Sequence, residues 1–354
     1  MTGTSWVQLA ETRILEILDE QYAVTQPELI ARLSPESGPY WESRESLEPT
    51  VVGDAVANLI AARQLIRDTA STRGGRPIST LALRNQKGIK TYVHRAARRK
   101  RLLTARYYSW SQPSKEYPNG ITGPAGEKAV KAAIKESEAL STDPNNNLAK
   151  TYAGVTFNGP LDWAGMISSP EPPFQSAAAL MEVKNVRSWL YPSSAEVHQL
   201  LRKAAVFQQA HPDAHVVPLL VCRRLNRRMW AMAKHLGFRV LDMRVQPTST
   251  IPDEEHFNEV RIELGYYDLR RDTQAPENVV KLLRGIQKTW SNASERWKVT
   301  STIPNIAERF SLLSDKTFKD TWERKAVLQE IGEDAAQRQR PPHEWWSQDD
   351  PSDN

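Results

Sequence analysis

An uninterrupted apolar run, Val216-Val-Pro-Leu-Leu-Val-Cys222, lies between two segments that have the spacing of amphipathic helices. A strand that is apolar at every position must be covered on both faces, as in the interior of a sheet that contains parallel strands. The flanking segments, 194–209 and 226–236, predict helices that could serve as the connections between such strands. The run therefore predicts an α/β fold with a mixed sheet flanked by helices.

The region around this run alternates helix and strand from residue 119 to residue 248. A Pro-, Gly- and Ser-rich stretch, 111–124, precedes it and marks the domain boundary. The element order is αβββαβαβ. The predicted elements are a helix over 126–140, strands over 152–157, 161–167 and 177–183, a helix over 194–209, a strand over 216–222, a helix over 226–236 and a strand over 238–245.

Residues 1–88 have a different pattern. A first amphipathic segment is followed by Thr25-Gln-Pro-Glu28, a capping box that predicts the start of a short helix. A third helical segment places Val52, Val56 and Leu59 on one face, and two strand-like runs joined by a Gly-Gly turn follow it. This order resembles winged helix-turn-helix domains, which implies a third helix in the major groove and a hairpin on the DNA backbone. A winged helix that binds protein is the alternative.

No acidic residue occurs between Asp68 and Glu116, whereas twelve Lys and Arg residues do. Such charges repel one another unless an anion neutralises them, and phosphate backbone would do so with release of counterions. We expect the helix over 90–110 in this segment to contact backbone phosphates without reading bases. The expected DNA contacts are Arg73, Arg76, Arg95, Arg98, Arg99, Lys100 and Arg101.

Composition excludes several classes of protein. No apolar stretch approaches the roughly 20 residues of a membrane helix, and the first residues lack the features of a signal peptide. The single cysteine, Cys222, excludes an intrachain disulfide and a cysteine-based zinc site. No P-loop pattern occurs, so no nucleotide cofactor is expected. These observations predict a cytoplasmic, nucleoid-associated protein.

The chain is predicted to contain five regions. They are a winged-helix DNA-binding domain over 1–88, a basic helix and linker over 89–118, the α/β domain over 119–248, a helical C-terminal region over 249–340 and an acidic disordered tail over 341–354.

Two predicted strands carry polar residues where a buried strand should be apolar. Asp162 begins one strand, and Glu182 and Lys184 share a face of the next because residues i and i+2 point the same way. Charges buried at these positions are costly unless they pair or bind something. Carboxylate oxygens are the ligands that Mg²⁺ prefers, so the pattern predicts a Mg²⁺ site at which Mn²⁺ could substitute.

The pair Leu161-Asp162, followed by Glu182-Val-Lys184-Asn185, resembles the PD-(D/E)XK nuclease superfamily, and the element order agrees with its restriction-endonuclease-like core. The resemblance spans roughly residues 120–245. One departure is that Leu161 stands between the proline and the aspartate. The resemblance implies metal ligation by Asp162, Glu182, the Val183 carbonyl and Glu127, with Lys184 as the catalytic lysine.

Other roles remain open for these residues. Glu182 and Lys184 could form a salt bridge on a solvated face, and Asp162 could cap the turn that precedes it. Glu127 could be an exposed acid favoured by the helix dipole. Further candidates for phosphate contact are Asn185, Arg187 and Gln199.

The expected function is a metal-dependent DNA endonuclease with a restriction-like or anti-phage role. The alternatives are a non-catalytic DNA-binding regulator on a nuclease scaffold and a structure-selective or RNA-directed nuclease. DNA is the expected partner, and no membrane is expected. A homodimer, with the C-terminal helices as its interface, and a protein partner from a defence system are further candidates.

Overall fold

The structure is a computed structural model that describes residues 5–34, 46–72, 75–85, 88–118, 120–142, 150–169, 175–318 and 320–339. Its helices are α1 (Trp6–Gln21), α2 (Gln26–Leu33), α3 (Pro49–Ala61), α4 (Lys90–Ser111), α5 (Thr122–Ser137), α6 (Ala195–Ala210), α7 (Arg227–Leu236), α8 (Glu254–Glu263), α9 (Glu277–Ser301), α10 (Ile306–Ser314) and α11 (Thr321–Gln339). Its strands are β1 (Leu65–Ser71), β2 (Pro77–Leu83), β3 (Leu140–Thr142), β4 (Thr151–Tyr152), β5 (Val155–Thr156), β6 (Trp163–Ser168), β7 (Ser176–Lys184), β8 (Val216–Cys222), β9 (Arg239–Asp242), β10 (Gln246–Pro247) and β11 (Leu269–Arg270).

The described part of the chain forms two compact units, each made from two separate stretches of sequence. Within the described ranges, unit 1 contains residues from 5–122 and 247–272, and unit 2 contains residues from 123–246 and 273–339. The prediction of a separate helical region over 249–340 is therefore wrong, because α8 belongs to unit 1 whereas α9, α10 and α11 belong to unit 2. The three later helices bury their apolar faces in the core of unit 2.

Unit 1 begins with three helices and an antiparallel hairpin. The predicted capping box is confirmed, since the Thr25 hydroxyl accepts from the Glu28 amide and the Glu28 carboxylate accepts from the Thr25 amide. The helices α1, α2 and α3 bury Leu18, Leu29 and Val52 in one apolar cluster. The strands β1 and β2 pair along their whole length. Arg73, predicted to contact DNA from the hairpin turn, lies outside the described residues.

Basic residues of α4 form ion pairs inside unit 1, which corrects the prediction of an uncompensated basic run. Arg99 Nη2 lies 2.7 Å from a Glu259 oxygen and 2.6 Å from a Glu263 oxygen, both on α8. Arg101 Nη2 lies 2.5 Å from Asp68 Oδ2 on β1. The prediction considered only neighbours in sequence, whereas the acids of α8 come from a distant part of the chain.

Lys100 is buried, with 5% of its surface exposed, and is the centre of a hydrogen-bonded cluster. Its Nζ donates to Glu28 Oε1 at 2.6 Å, to Gln21 at 3.1 Å and to the Glu263 carbonyl at 2.5 Å. Burial lowers the pKa of Lys100, although the Glu28 carboxylate favours its charged form. Glu28 is fully buried and also pairs with Arg32 at 2.9 Å. Lys100 is therefore a structural cation that joins α4 to α2 and to the end of α8, and it is not exposed for DNA contact.

The substitution Glu28→Gln would leave Lys100 and Arg32 without their shared carboxylate. We expect unit 1 to lose about 3–5 kcal/mol of unfolding free energy, because one partner of a buried ion pair is then uncompensated. Urea unfolding measures this loss, and Glu16→Gln, at an exposed position of α1, provides the matched control. Equal stability of the two variants would contradict the structural role of the cluster.

Unit 2 is built on a five-stranded mixed sheet in the order β3-β6-β7-β8-β9. The pairs β3–β6 and β6–β7 are antiparallel, whereas β7–β8 and β8–β9 are parallel. Every residue of β8 is buried, as its apolar run predicts. The predicted α/β class with a mixed sheet is confirmed.

The first strand of the sheet differs from the prediction. The segment predicted as one strand over 152–157 forms the two short strands β4 and β5, which make a separate two-stranded sheet among the described residues. Ala153 and Gly154 between them have φ values of 44° and 83°, which make a tight turn. Instead, β3 occupies that edge of the sheet, where the sequence predicted the end of a helix.

Helices cover both faces of the sheet. On one face, α5 and α9 bury Ile134 and Leu283 against the strands. On the other face, α6, α10 and α11 bury Leu200, Phe310 and Ile331. None of the helices in the described part of the chain combines the length and apolar character needed to cross a bilayer.

Candidate active site

The strands β6 and β7 bring Asp162, Glu182 and Lys184 together. The Asp162 amide donates to the Met181 carbonyl at 3.2 Å, so Asp162 lies just before β6 and beside β7. Its Oδ2 accepts from the Val183 amide at 2.6 Å. The alternative in which Asp162 only caps its own turn is wrong, because its carboxylate binds the neighbouring strand.

The Glu182 carboxylate lies between two lysines. Its Oε2 accepts from Lys184 Nζ at 2.7 Å, and its Oε1 accepts from Lys203 Nζ of α6. Lys203 also donates to the Pro160 carbonyl at 2.6 Å. Glu182 is only 2% exposed, so the alternative of a salt bridge on a solvated face is wrong. The salt bridge exists, but it is buried and has two cations.

The electrostatics differ between the two carboxylates. Burial, together with the charge of Glu182, raises the pKa of Asp162 to about 6. Burial also acts to raise the pKa of Glu182, but the charges and hydrogen bonds of Lys184 and Lys203 outweigh it and hold that pKa below its ordinary value. Glu182 is therefore ionised near neutral pH. Of the two carboxyl groups, Asp162 has the pKa that lies closer to neutral pH.

Lys184 keeps its proton. Burial acts to lower the pKa of this lysine, but the carboxylates of Glu182 and Asp162 outweigh burial and raise it. A protonated ammonium can donate hydrogen bonds and offset negative charge, whereas it cannot accept a proton. The arrangement favours Lys184 as a positive group that stabilises charge, and disfavours it as a general base.

These side chains line a cavity of about 580 Å³. Gln199, Arg202 and Lys203 of α6 line the same cavity because positions i, i+3 and i+4 share a helix face. The sequence prediction included Gln199 but missed Arg202 and Lys203, although their helical spacing from Gln199 could have indicated them. Two more cations therefore face the cavity than the sequence analysis named.

The remaining predicted site residues lie outside the cavity lining. Glu127 is half-buried on α5 and acts on Asp162 through its charge, as the weakest of the contributions that shift the pKa of Asp162. Asn185 is buried, and Arg187 donates to Gln246 Oε1 at 3.2 Å. Val183 contributes its amide to the hydrogen bond with Asp162.

The carboxylates of the cavity match a Mg²⁺ site that is only partly made of protein ligands. Within the described ranges, no group of three or more His, Cys, Asp and Glu side chains is arranged to hold a metal ion. Mg²⁺ is commonly bound through one or two carboxylates while waters and substrate phosphate complete its octahedron. Asp162 and Glu182 supply these two carboxylates. The repulsion between their charges, which contributes to the raised pKa of Asp162, would be reduced by a bound cation.

Comparison with protein-family models, with curated proteins and with solved structures finds no match for this chain. The chemistry of the site therefore follows from its own residues. A carboxylate pair, a protonated lysine and two further cations can together bind a phosphate group and a divalent cation. The same groups can stabilise negative charge that develops on that phosphate.

Gly126 sets the distance between α5 and the end of β7. A Cβ atom at Gly126 would lie 2.5 Å from the Asn185 Cβ, next to Lys184. We expect Gly126→Ala to cost about 1–3 kcal/mol in thermal or urea unfolding, because the helix must move away from the strand. Gly123→Ala on the same helix is the matched control, since none of the residues that the structure describes lies within 4 Å of its added Cβ. A Gly126→Ala variant as stable as the control would contradict this close packing.

The raised pKa of Asp162 has a consequence for stability. Because the folded pKa of about 6 lies above the ordinary value of 3.8, the stability that Asp162 contributes at low pH is lost as pH rises from about 4 to about 6. We expect the unfolding free energy of the wild type, relative to Asp162→Asn, to fall by up to about 3 kcal/mol across this window. Urea unfolding in EDTA at several pH values tests this, and a difference independent of pH would contradict it.

Proposed function

We propose that this protein is a metal-dependent DNA endonuclease of the PD-(D/E)XK type, with Asp162, Glu182 and Lys184 as its active site. The observation that carries the proposal is that these three residues converge at the ends of neighbouring strands in one cation-lined cavity. The order of two antiparallel strand pairs followed by two parallel pairs supports the proposed nuclease core. A restriction-like or anti-phage role is the biological setting we propose.

The metal ligands in this proposal are Asp162, Glu182 and the Val183 carbonyl. Mg²⁺, or Mn²⁺ in its place, would supply Lewis acidity toward the phosphate and an activated water. Glu127 is too peripheral to the cavity to be a direct ligand in this arrangement, and we propose that it acts through its charge.

The protein's own residues have distinct roles in the proposed reaction. Lys184 donates hydrogen bonds to the reacting phosphate and offsets the charge that grows on its oxygens. Lys203 is a positioning residue, since it fixes one Glu182 oxygen and the Pro160 carbonyl. Arg202 and Gln199 line the remaining wall, where they would hold the flanking DNA backbone.

We propose that unit 1 is a winged-helix module that binds the DNA backbone. Arg95 and Arg98 of α4 are exposed, and Arg76 near the hairpin is exposed as well. In contrast, α3 presents no basic residue to solvent, and its exposed positions are Thr50, Asp54, Ala57, Asn58 and Ala61. Major-groove recognition by α3 therefore has little support, and the proposed contacts are to phosphates.

A non-catalytic DNA-binding regulator is the second candidate, and one observation favours it. Both oxygens of Glu182 accept hydrogen bonds from lysines, which would compete with a metal for the same oxygens. If this ion cluster only stabilises the fold, the cavity would bind phosphate without hydrolysing it.

A cleavage assay distinguishes the two functions. Supercoiled plasmid is incubated with the full chain and Mg²⁺ or Mn²⁺, with and without EDTA, and branched DNA and RNA are tested in parallel. We expect metal-dependent nicking or linearisation that Asp162→Ala and Lys184→Ala each reduce by about 100-fold or more. The matched controls are Asp213→Ala and Lys131→Ala, at exposed positions of unit 2.

Each outcome of this assay assigns a function. Cleavage of plasmid that the two site variants lose and the two controls keep supports the DNA endonuclease. Cleavage confined to branched DNA or RNA supports the structure-selective or RNA-directed nuclease. Plasmid binding without cleavage of any substrate, in both metals, contradicts the nuclease and supports the regulator.

A further inference from the structure

Unit 2 contains another cavity of about 560 Å³ at the β9 edge of the sheet, two strands away from β7, which carries Glu182. It lies between α7, the edge strand β9 and α9. Its walls are mainly apolar and include Trp230, Phe238, Leu282 and Ile286. Trp230 is 43% exposed, which is unusual for the largest apolar side chain. We call this cavity the edge groove.

Three cations line the edge groove, namely Lys234, Arg239 and Lys281. No carboxylate among the described residues forms an ion pair with any of them. The Arg239 side chain donates to the Thr289 carbonyl at 2.5 Å, but its Nε is buried and has no partner in the described structure. Burial, with the nearby Arg296, lowers the pKa of Arg239. The groove therefore has the chemistry to receive an aromatic and acidic segment.

The chain itself supplies such a segment close by. At the end of α11, the Gln339 side-chain Nε2 donates to the His235 carbonyl at 2.8 Å, and His235 adjoins Lys234 of the groove. Residues 340–354 follow, and they contain Trp345, Trp346, Glu344, Asp349, Asp350 and Asp353. An extended chain spans about 3.5 Å per residue, so Trp345 can reach roughly 20 Å from Gln339.

We propose that residues 340–354 dock in the edge groove of the same chain. Trp345 and Trp346 bury their rings against the apolar walls, since each indole removes roughly 150–250 Å² from water. The carboxylates of the segment form ion pairs with Lys234, Arg239 and Lys281. Because the segment is tethered beside the groove, its effective concentration is on the order of millimolar, and modest affinity is enough for occupancy.

Disulfide trapping tests this docking on the full chain. The pair Gly285→Cys and Ser347→Cys places one thiol in the groove and one in the segment, and no described residue lies within 4 Å of a Cβ at Gly285. The native Cys222 is fully buried and does not compete. The matched control is the pair Gln337→Cys and Ser347→Cys. Gln337 is exposed on α11 and lies closer to Ser347 along the chain than Gly285 does.

We expect the groove pair to oxidise about tenfold faster than the control pair, as a monomer in non-reducing gels, because docking raises the local thiol concentration. We also expect that the groove pair no longer oxidises faster than the control pair when Trp345→Ala and Trp346→Ala are combined, or when Lys234→Glu is introduced alone. Faster or equal oxidation of the control pair would overturn the proposal. A disulfide-linked dimer through Gly285→Cys would overturn docking within one chain and assign the groove to a second copy.

Discussion

The buried carboxylate of Glu182 is the constraint on which the organisation of unit 2 depends. A charge that is 2% exposed must be compensated, and compensation by Lys184 and Lys203 requires β7 and α6 to meet at one place. The Pro160 carbonyl, which also accepts from Lys203, then fixes the turn that leads into Asp162. One ion cluster thus aligns the turn, the strand and the helix that enclose the cavity.

Unit 1 contains a comparable ion cluster around Lys100 and Glu28. The two clusters differ in whether a bound molecule could reach their charges. Both clusters bury a carboxylate between cations. Lys100 donates to three protein oxygens, so its charge is used entirely within the fold. Lys184 makes one side-chain ion pair with the described residues and lines an open cavity, so its charge can also act on a bound molecule. Access to a cavity, and not burial alone, marks a candidate site.

The sequence predicted those parts of the structure that local patterns determine. The apolar run of β8, the capping box at Thr25 and the shared face of Glu182 and Lys184 depend on residues close in the chain. The partners of Arg99, the edge position of β3 and the role of Lys203 were missed, because they depend on segments that meet only after folding. The division of the C-terminal region between two units was missed for the same reason.

The division of each unit into two stretches of chain also determines the order in which the protein can be completed during synthesis. Arg99 emerges from the ribosome well before Glu259 and Glu263. These ion pairs of unit 1 can therefore form only after the strands of the unit 2 sheet have been translated. Unit 2 in turn lacks Phe310 and Ile331 of its core until the last helices appear. Long-range contacts of this kind slow folding and leave apolar surface exposed during elongation. Unit 1 is therefore completed only after the strands of unit 2 have been translated, and unit 2 only after α10 and α11, so no single cut in the chain separates the two units.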